Sequence, residues 1–221
     1  METVPIRHLE EPPESGSLDF SVAITPVSHQ AESHRRRTVK ETVASIVKPV
    51  KYLLSGEVQI EIEWLIHERE RYESDTSPDV DNILKPLLDG LCGPEGLLID
   101  DCQVQAIDCR WIDWTLNEQQ VNFRIRFSSD VWVKKSGLVF VHIERGLCFP
   151  ICQDHTPETQ LIVLNLCEEL MKYRNRIEES TGDYYAAKSV MPIQRLFHKS
   201  RLQAFKKLEL ETLRAKLQKA T

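Results

Sequence analysis

Residues 77–103, SPDVDNILKPLLDGLCGPEGLLIDDCQ, constrain this 221-residue chain more than any other stretch. Asp79 and Asp81 are two apart, so in an extended segment they point to the same side. Ser77-Pro78 favours an extended entry, because proline pushes its predecessor out of the helical region. Asp81 is then a suitable N-cap for a helix over 82–91. On that helix Asp81, Lys85 and Asp89 follow one another at four-residue intervals and share a polar face. Ile83, Leu84, Leu87, Leu88 and Leu91 form the other face, which must be buried. Pro86 removes one hydrogen bond within the first turns. After a Gly-Pro-Glu-Gly turn, 97–99 reads as a short buried strand that delivers Asp100 and Asp101 at its end.

Carboxylates gathered in this way repel one another, so the cluster calls for a cation. Oxygen ligands without histidine suit Mg2+, or Mn2+, better than zinc. A hard dication held by a few carboxylates, with a lysine one helical turn away, is apparatus for displacement at phosphorus.

The string PDVDNILKPLLDGL followed by LLIDDCQV resembles the RusA family of Holliday-junction resolvases, whose pattern is roughly D-[LI]-D-N-x-x-K-x-x-x-D-A-L and then D-D-x-Q. Spacing and residue type agree at about eight places. The resemblance implies that Asp79, Asp81, Asp101 and Lys85 carry the chemistry. The three aspartates would be the metal ligands, and Asn82, Asp89, Asp100 and Gln103 match supporting positions. It further implies a crossover junction endodeoxyribonuclease acting on branched DNA in recombination and repair, working as a homodimer. Glycine at 90 departs from the family's usual alanine. Adjacent strand residues point oppositely, so one of Asp100 and Asp101 should ligate and the other turn away. The family match favours Asp101.

The chain has no run of apolar residues long enough to span a membrane, and its N-terminus is polar and acidic; a cytoplasmic protein with reduced thiols is expected. A net charge of −6 argues at first against DNA, but its distribution is uneven. Residues 1–130 hold 13 Lys/Arg against 24 Asp/Glu, whereas 131–221 hold 15 against 10. Bound cations would offset part of the first excess.

In chain order, 1–17 reads as a disordered tail, 18–27 as a first strand, and 38–54 as an amphipathic helix. The basic cluster His34-Arg35-Arg36-Arg37 would precede that helix. The resemblance gives Arg35, Arg36 and Arg37 to DNA phosphates; a solvated charge run is the plainer reading. Residues 57–66 alternate as a half-buried strand, with Glu61 and Glu63 on its polar face. A polar loop over 67–76 leads into the acidic motif. Residues 102–112 and 121–127 pair as a hairpin, with Arg124 and Arg126 on one face. The order describes an α+β domain over 18–130, a RusA-like mixed sheet with helices. The resemblance covers roughly 18–128.

Residues 131–221 read as a mainly helical C-terminal extension. It holds a strand at 138–143, a helix at 161–177 and a second long helix at 193–217 with a basic outer face. That face would serve as cover, as a dimer contact or as a DNA-contacting arm. Cys148, Cys152 and His155 fit no strong zinc template. Two other functions compete with a nuclease. One is a non-catalytic docking module on the same fold. The other is a D-x-D phosphatase or nucleotide-sugar transferase, and a phosphatase would want an apolar strand before the first aspartate and a threonine after the second. Ser77-Pro78 and Asn82-Ile83 supply neither.

Overall fold

The computed structural model describes residues 3–75, 77–191 and 196–219. The chain divides into two compact units, residues 1–132 and 133–221.

The first unit runs β1 (Ser17–Ala23), α1 (Ser33–Val47), β2 (Tyr52–Leu54), β3 (Val58–Ile66), α2 (Glu68–Glu73), α3 (Leu84–Leu91), β4 (Val104–Asp113) and β5 (Gln120–Phe127). Its main sheet has the order β1-β5-β3-β4. β3 is central, antiparallel to β5 and parallel to β4. The alternation read in the sequence is what the strand does: Val58, Ile60, Ile62 and Trp64 are buried, while Gln59, Glu61 and Glu63 face the other way. Val121, Phe123 and Ile125 of β5 join them, and Val39, Val43 and Val47 from α1, Ile83 just ahead of α3, and Leu87 and Leu91 on it close the core. Burying each such aliphatic side chain contributes roughly 1.5–3 kcal/mol.

Several elements differ from the sequence expectation. β4 and β5 are not a hairpin, because β3 lies between them; a parallel β3–β4 pair needs the long crossover that α2 and α3 provide. α1 starts earlier than expected and stops at Val47. Pro49 has no N–H to extend the ladder, and the fully buried run Tyr52–Leu54 becomes a strand. Arg35, Arg36 and Arg37 therefore lie on the first turns of α1, not ahead of it. The segment expected as a polar loop forms α2, where the His67 ring accepts the Arg69 backbone N–H at 3.1 Å; Thr76 lies outside the described residues. Within the expected N-terminal tail, whose residues 1–2 lie outside the described set, the chain is packed rather than disordered. Ile6 is buried, Ser21 N–H donates to Val4 O at 3.0 Å, and Lys51 N–H donates to Leu9 O at 2.7 Å.

A three-residue strand, β6 (Trp132–Lys134), spans the boundary between the units. The second unit contains β7 (Leu138–Glu144), β8 (Leu147–Cys152), α4 (Pro157–Thr181), α5 (Tyr184–Lys188), β9 (Phe197–His198), β10 (Lys207–Glu209) and α6 (Leu210–Gln218). Helix forms the larger share of its regular structure, around a sheet of order β10-β7-β8-β9. Thr156 caps α4 by accepting the Thr159 N–H at 3.2 Å, and Gly182 ends it in the left-handed conformation, φ 66°. Val139, Val141, Ile151, Leu164, Cys167, Met171, Leu213 and Leu217 form this unit's own core.

The long helix expected over 193–217 is not formed. Residues 193–195 lie outside the described set, and only Leu210–Gln218 is α-helical. The apolar residues that suggested a helical period serve other geometry. Phe197 and Phe205 meet the Phe140 ring edge-on, with centroids 6.0 and 5.1 Å apart, and Leu208 lies on β10, which pairs in parallel with β7. Cys148 is buried on β8. Among the described residues no helix is long and apolar enough to cross a membrane.

Candidate active site

α3 begins at Leu84, later than the sequence suggests, and Asp81 does not cap it. The chain instead turns over Asp79–Asn82: Asn82 N–H donates to Asp79 O at 3.0 Å, and Leu84 N–H to Asp81 O at 3.4 Å. This start removes the expected penalty at Pro86, which sits in the first turn of α3 where backbone N–H groups have no helical partner. The turn is tied down from outside. His29 N–H donates to Asn82 O at 2.8 Å, and the Cys109 thiol on β4 approaches Val80 O at 3.9 Å.

Lys85 projects from α3 and is the charge centre of the site. Its Nζ lies 2.8 Å from Asp89 Oδ1 and 2.8 Å from Asp101 Oδ2. The hydrogen bond to Asp101, then that to Asp89, hold the ammonium well above the ordinary lysine range. Cys92 registers the same field: burial first, then the Asp101, Asp100 and Asp89 charges, push its thiol up to about 12.

Asp101 is placed by an arrangement the sequence did not disclose. Residues 97–99 do not form a strand; Leu98 makes isolated bridges to Leu54 and Cys92. Asp100 then caps a 3-10 turn, Asp101–Gln103, by accepting the Cys102 N–H at 3.0 Å. Gln103 is fully buried and uses its whole amide. Its Oε1 accepts from Ile99 N–H at 2.8 Å and Asp100 N–H at 3.1 Å. Its Nε2 donates to Leu54 O at 2.8 Å and Gly56 O at 2.7 Å. One side chain thus joins the β2–β3 turn to the segment carrying both aspartates. The pattern position marks Gln103, but its role depends on long-range partners that no local spacing reveals.

Asp79 is paired with Arg71 of α2. The guanidinium lies 3.8 Å from Asp79 Oδ1, donates to Pro78 O at 3.4 Å, and stands 5.9 Å from the centre of the Trp64 ring. Reading 67–76 as a loop hid this residue. Asp81 is exposed and enters no ion pair among the described residues. Arg35 reaches the entry of the acidic turn, where it lines a cavity of about 230 Å³ with Ser28, Glu70, Ser77, Pro78 and Gln119. Arg37 faces Glu41 on its own helix at 3.8 Å.

The structure therefore joins Lys85, Asp89 and Asp101, and attaches Arg71 to Asp79. It does not bring Asp79, Asp81 and Asp101 into one coordination group: among the described residues no three Asp, Glu, His or Cys side chains converge to hold a metal ion. The chemistry of the donors still suits a hard dication, because all three are carboxylates with accessible surface. Glu61 and Glu63 belong elsewhere. On the polar sheet face Arg126 meets Glu61 at 2.7 Å, Arg110 meets Glu63 at 2.8 Å, and Arg124 meets Asp19 at 2.6 Å. Arg124 and Arg126 thus serve the sheet's own charge pairing.

A protein-family model described as Endodeoxyribonuclease RusA matches residues 11–126, the span that contains every site residue discussed above. No curated protein matches the chain.

Proposed function

Because the chain belongs to the RusA endodeoxyribonuclease family, we propose that it is a magnesium-dependent, structure-selective nuclease that resolves four-way DNA junctions in recombination and repair. The observation that carries this reading is the Lys85 ammonium seated between Asp89 and Asp101. That is an acidic site with one fixed cation, suited to a phosphodiester whose charge grows in the transition state.

Asp79, Asp81 and Asp101 would hold Mg2+, or Mn2+ in its place. When bound, the ion supplies charge neutralisation and a water made acidic enough to attack phosphorus. Lys85 would donate to a non-bridging phosphate oxygen and stabilise the pentavalent transition state, leaving 5′-phosphate and 3′-hydroxyl ends. Asp89 and Asp101 keep Lys85 protonated and fix its direction. Arg71 holds the Asp79 turn, while Asp100 and Gln103 hold Asp101. Arg35, Arg36 and Arg37 on α1 would contact backbone phosphates. Two symmetric nicks require two sites, hence a homodimer, and a cytoplasmic location suits the reduced thiols.

Cleavage of an end-labelled synthetic four-way junction, by wild type and Asp81→Asn with and without magnesium, tests the proposal. Paired, magnesium-dependent nicks that fall at least about a hundredfold in the variant are expected. Junction binding without cutting by the wild type would overturn the nuclease reading in favour of a docking module.

A further inference from the structure

Beside the acidic turn the first unit exposes an aromatic pair that neither its core nor the phosphoryl chemistry uses. Tyr72 on α2 is 68% exposed. Its ring meets the half-buried Trp111 of β4 edge-on, with centroids 5.5 Å apart and planes at 86°. With most of its surface open, the phenol offers a ring to a further flat partner.

β4 sets the distance from this pair to the chemistry. Alternate residues of a strand share a face, and on one face of β4 stand Cys109, Trp111 and Asp113. The Cys109 thiol approaches Val80 O, between Asp79 and Asp81, at 3.9 Å. Asp113 accepts the Glu68 N–H at 2.9 Å and so fixes the start of α2, which brings Tyr72 over Trp111. Two strand residues span about 6.6 Å, so the aromatic pair stands one such step from the acidic turn. Two stacked nucleotides, at about 3.4 Å each, cover the same distance. A phosphate held at Asp79 and Asp81 therefore leaves a base one or two nucleotides away within reach of Tyr72.

Charge decides which part of a nucleotide fits there. α2 carries Glu68, Glu70 and Glu73 against Arg69 and Arg71. Both arginines are engaged, Arg69 by Glu73 at 3.1 Å and Arg71 by Asp79 at 3.8 Å. Such a surface disfavours a phosphate but accepts the uncharged face of a base. Bases inside a duplex are stacked on both sides, whereas a base at a branch point loses a neighbour and has a face to give. We infer that Tyr72, backed by Trp111, is a stacking platform for a base at the branch point of the junction, one or two nucleotides from the phosphate that is cut. The inference rests on the nuclease reading for its substrate, and it gives the site a means of telling branched DNA from plain duplex.

Gel-shift titration of the full chain without divalent metal, on a four-way junction and on a linear duplex of the same arm sequence, tests the platform apart from cleavage. Tyr72→Ala should weaken junction binding by about fivefold to a hundredfold and duplex binding by less than about twofold. Tyr72→Phe keeps the ring and should match the wild type, and unchanged circular dichroism would show that both variants are folded. A junction carrying 5-iodouracil beside the branch point should photo-crosslink to the peptide that contains Tyr72, and the same base in mid-arm should not. Equal loss on junction and duplex, no loss on either, or a Tyr72→Phe protein as weak as Tyr72→Ala would overturn the inference. Nicking by the wild type with magnesium separates the two readings. Paired nicks together with an indifferent Tyr72 sink the platform alone. Selective junction binding through Tyr72 without any nick sinks the nuclease reading and leaves the platform standing, and a wild type that does not bind the junction overturns both.

Discussion

Replacing Gln103 by alanine deletes four hydrogen bonds between 2.7 and 3.1 Å and strands two N–H and two C=O groups around a fully buried position. Each buried polar group left without a partner costs about 1–3 kcal/mol. A water admitted to the vacated space can recover part of that, so the expected loss is about 3–5 kcal/mol. Gln103→Glu keeps the size and the two acceptor bonds, but at neutral pH it turns a carboxylate oxygen towards Leu54 O and Gly56 O. It should cost a similar amount, and less at acid pH, where a protonated carboxyl restores one donor. Urea unfolding followed by tryptophan fluorescence is the assay. Trp64, Trp111, Trp114 and Trp132 all lie in the first unit, so the signal reports the unit that holds Gln103. A Gln103→Ala protein within about 1 kcal/mol of wild type would refute the claim that this amide holds the aspartate segment in place.

Four further outcomes follow from the geometry. A Cβ at Gly90 would lie 2.6 Å from Val43 Cβ and 2.9 Å from Lys40 O, so Gly90→Ala should destabilise by about 1–3 kcal/mol. The same unfolding assay reads this loss. Lys85→Met should cut junction cleavage at least about a hundredfold while changing junction affinity less than about threefold, measured by nicking and gel shift. Asp101 and Asp89 raise the Lys85 value, so the stability this cation contributes is complete below the unfolded lysine value of about 10.4 and lost only as pH rises through the higher folded value. No loss from this group should then appear between neutral pH and about 10. In thiol titration at pH 8, Cys92 and Cys167, each pushed up to about 12, should resist modification, with a thiolate fraction of about one in ten thousand. Exposed Cys102 should react first, as mass spectrometry of the labelled peptides would show.

The sequence disclosed what depends on local spacing. β3 alternates as read because one face must be buried, and the acidic motif places Lys85 and Asp89 one turn apart on a helix whatever surrounds it. Strand order is not local. β4 and β5 follow each other with a short connection, and only the fit of β3 between them excludes a hairpin. The start of α3 was misjudged because Asp81 has capping chemistry, whereas the turn tied to His29 uses its carbonyl instead. Gln103 and Arg71 act through partners distant in sequence or on an element read as a loop. Residues 196–218 show the limit of periodicity: Phe197, Leu202 and Phe205 keep roughly helical intervals while strands and turns bury them.

Gly90 also explains the departure from alanine at that pattern position, and its consequence reaches beyond packing. α1 bears the arginines that would grip DNA; α3 bears the lysine that would act on it. With no side chain at 90, the α3 backbone rests directly against Val43 and the Lys40 carbonyl, so a displacement of α1 would be passed to the helix that carries Lys85. Substitutions at Val43, far from any phosphate, should alter the site and timing of the nick before they alter how tightly the junction is held.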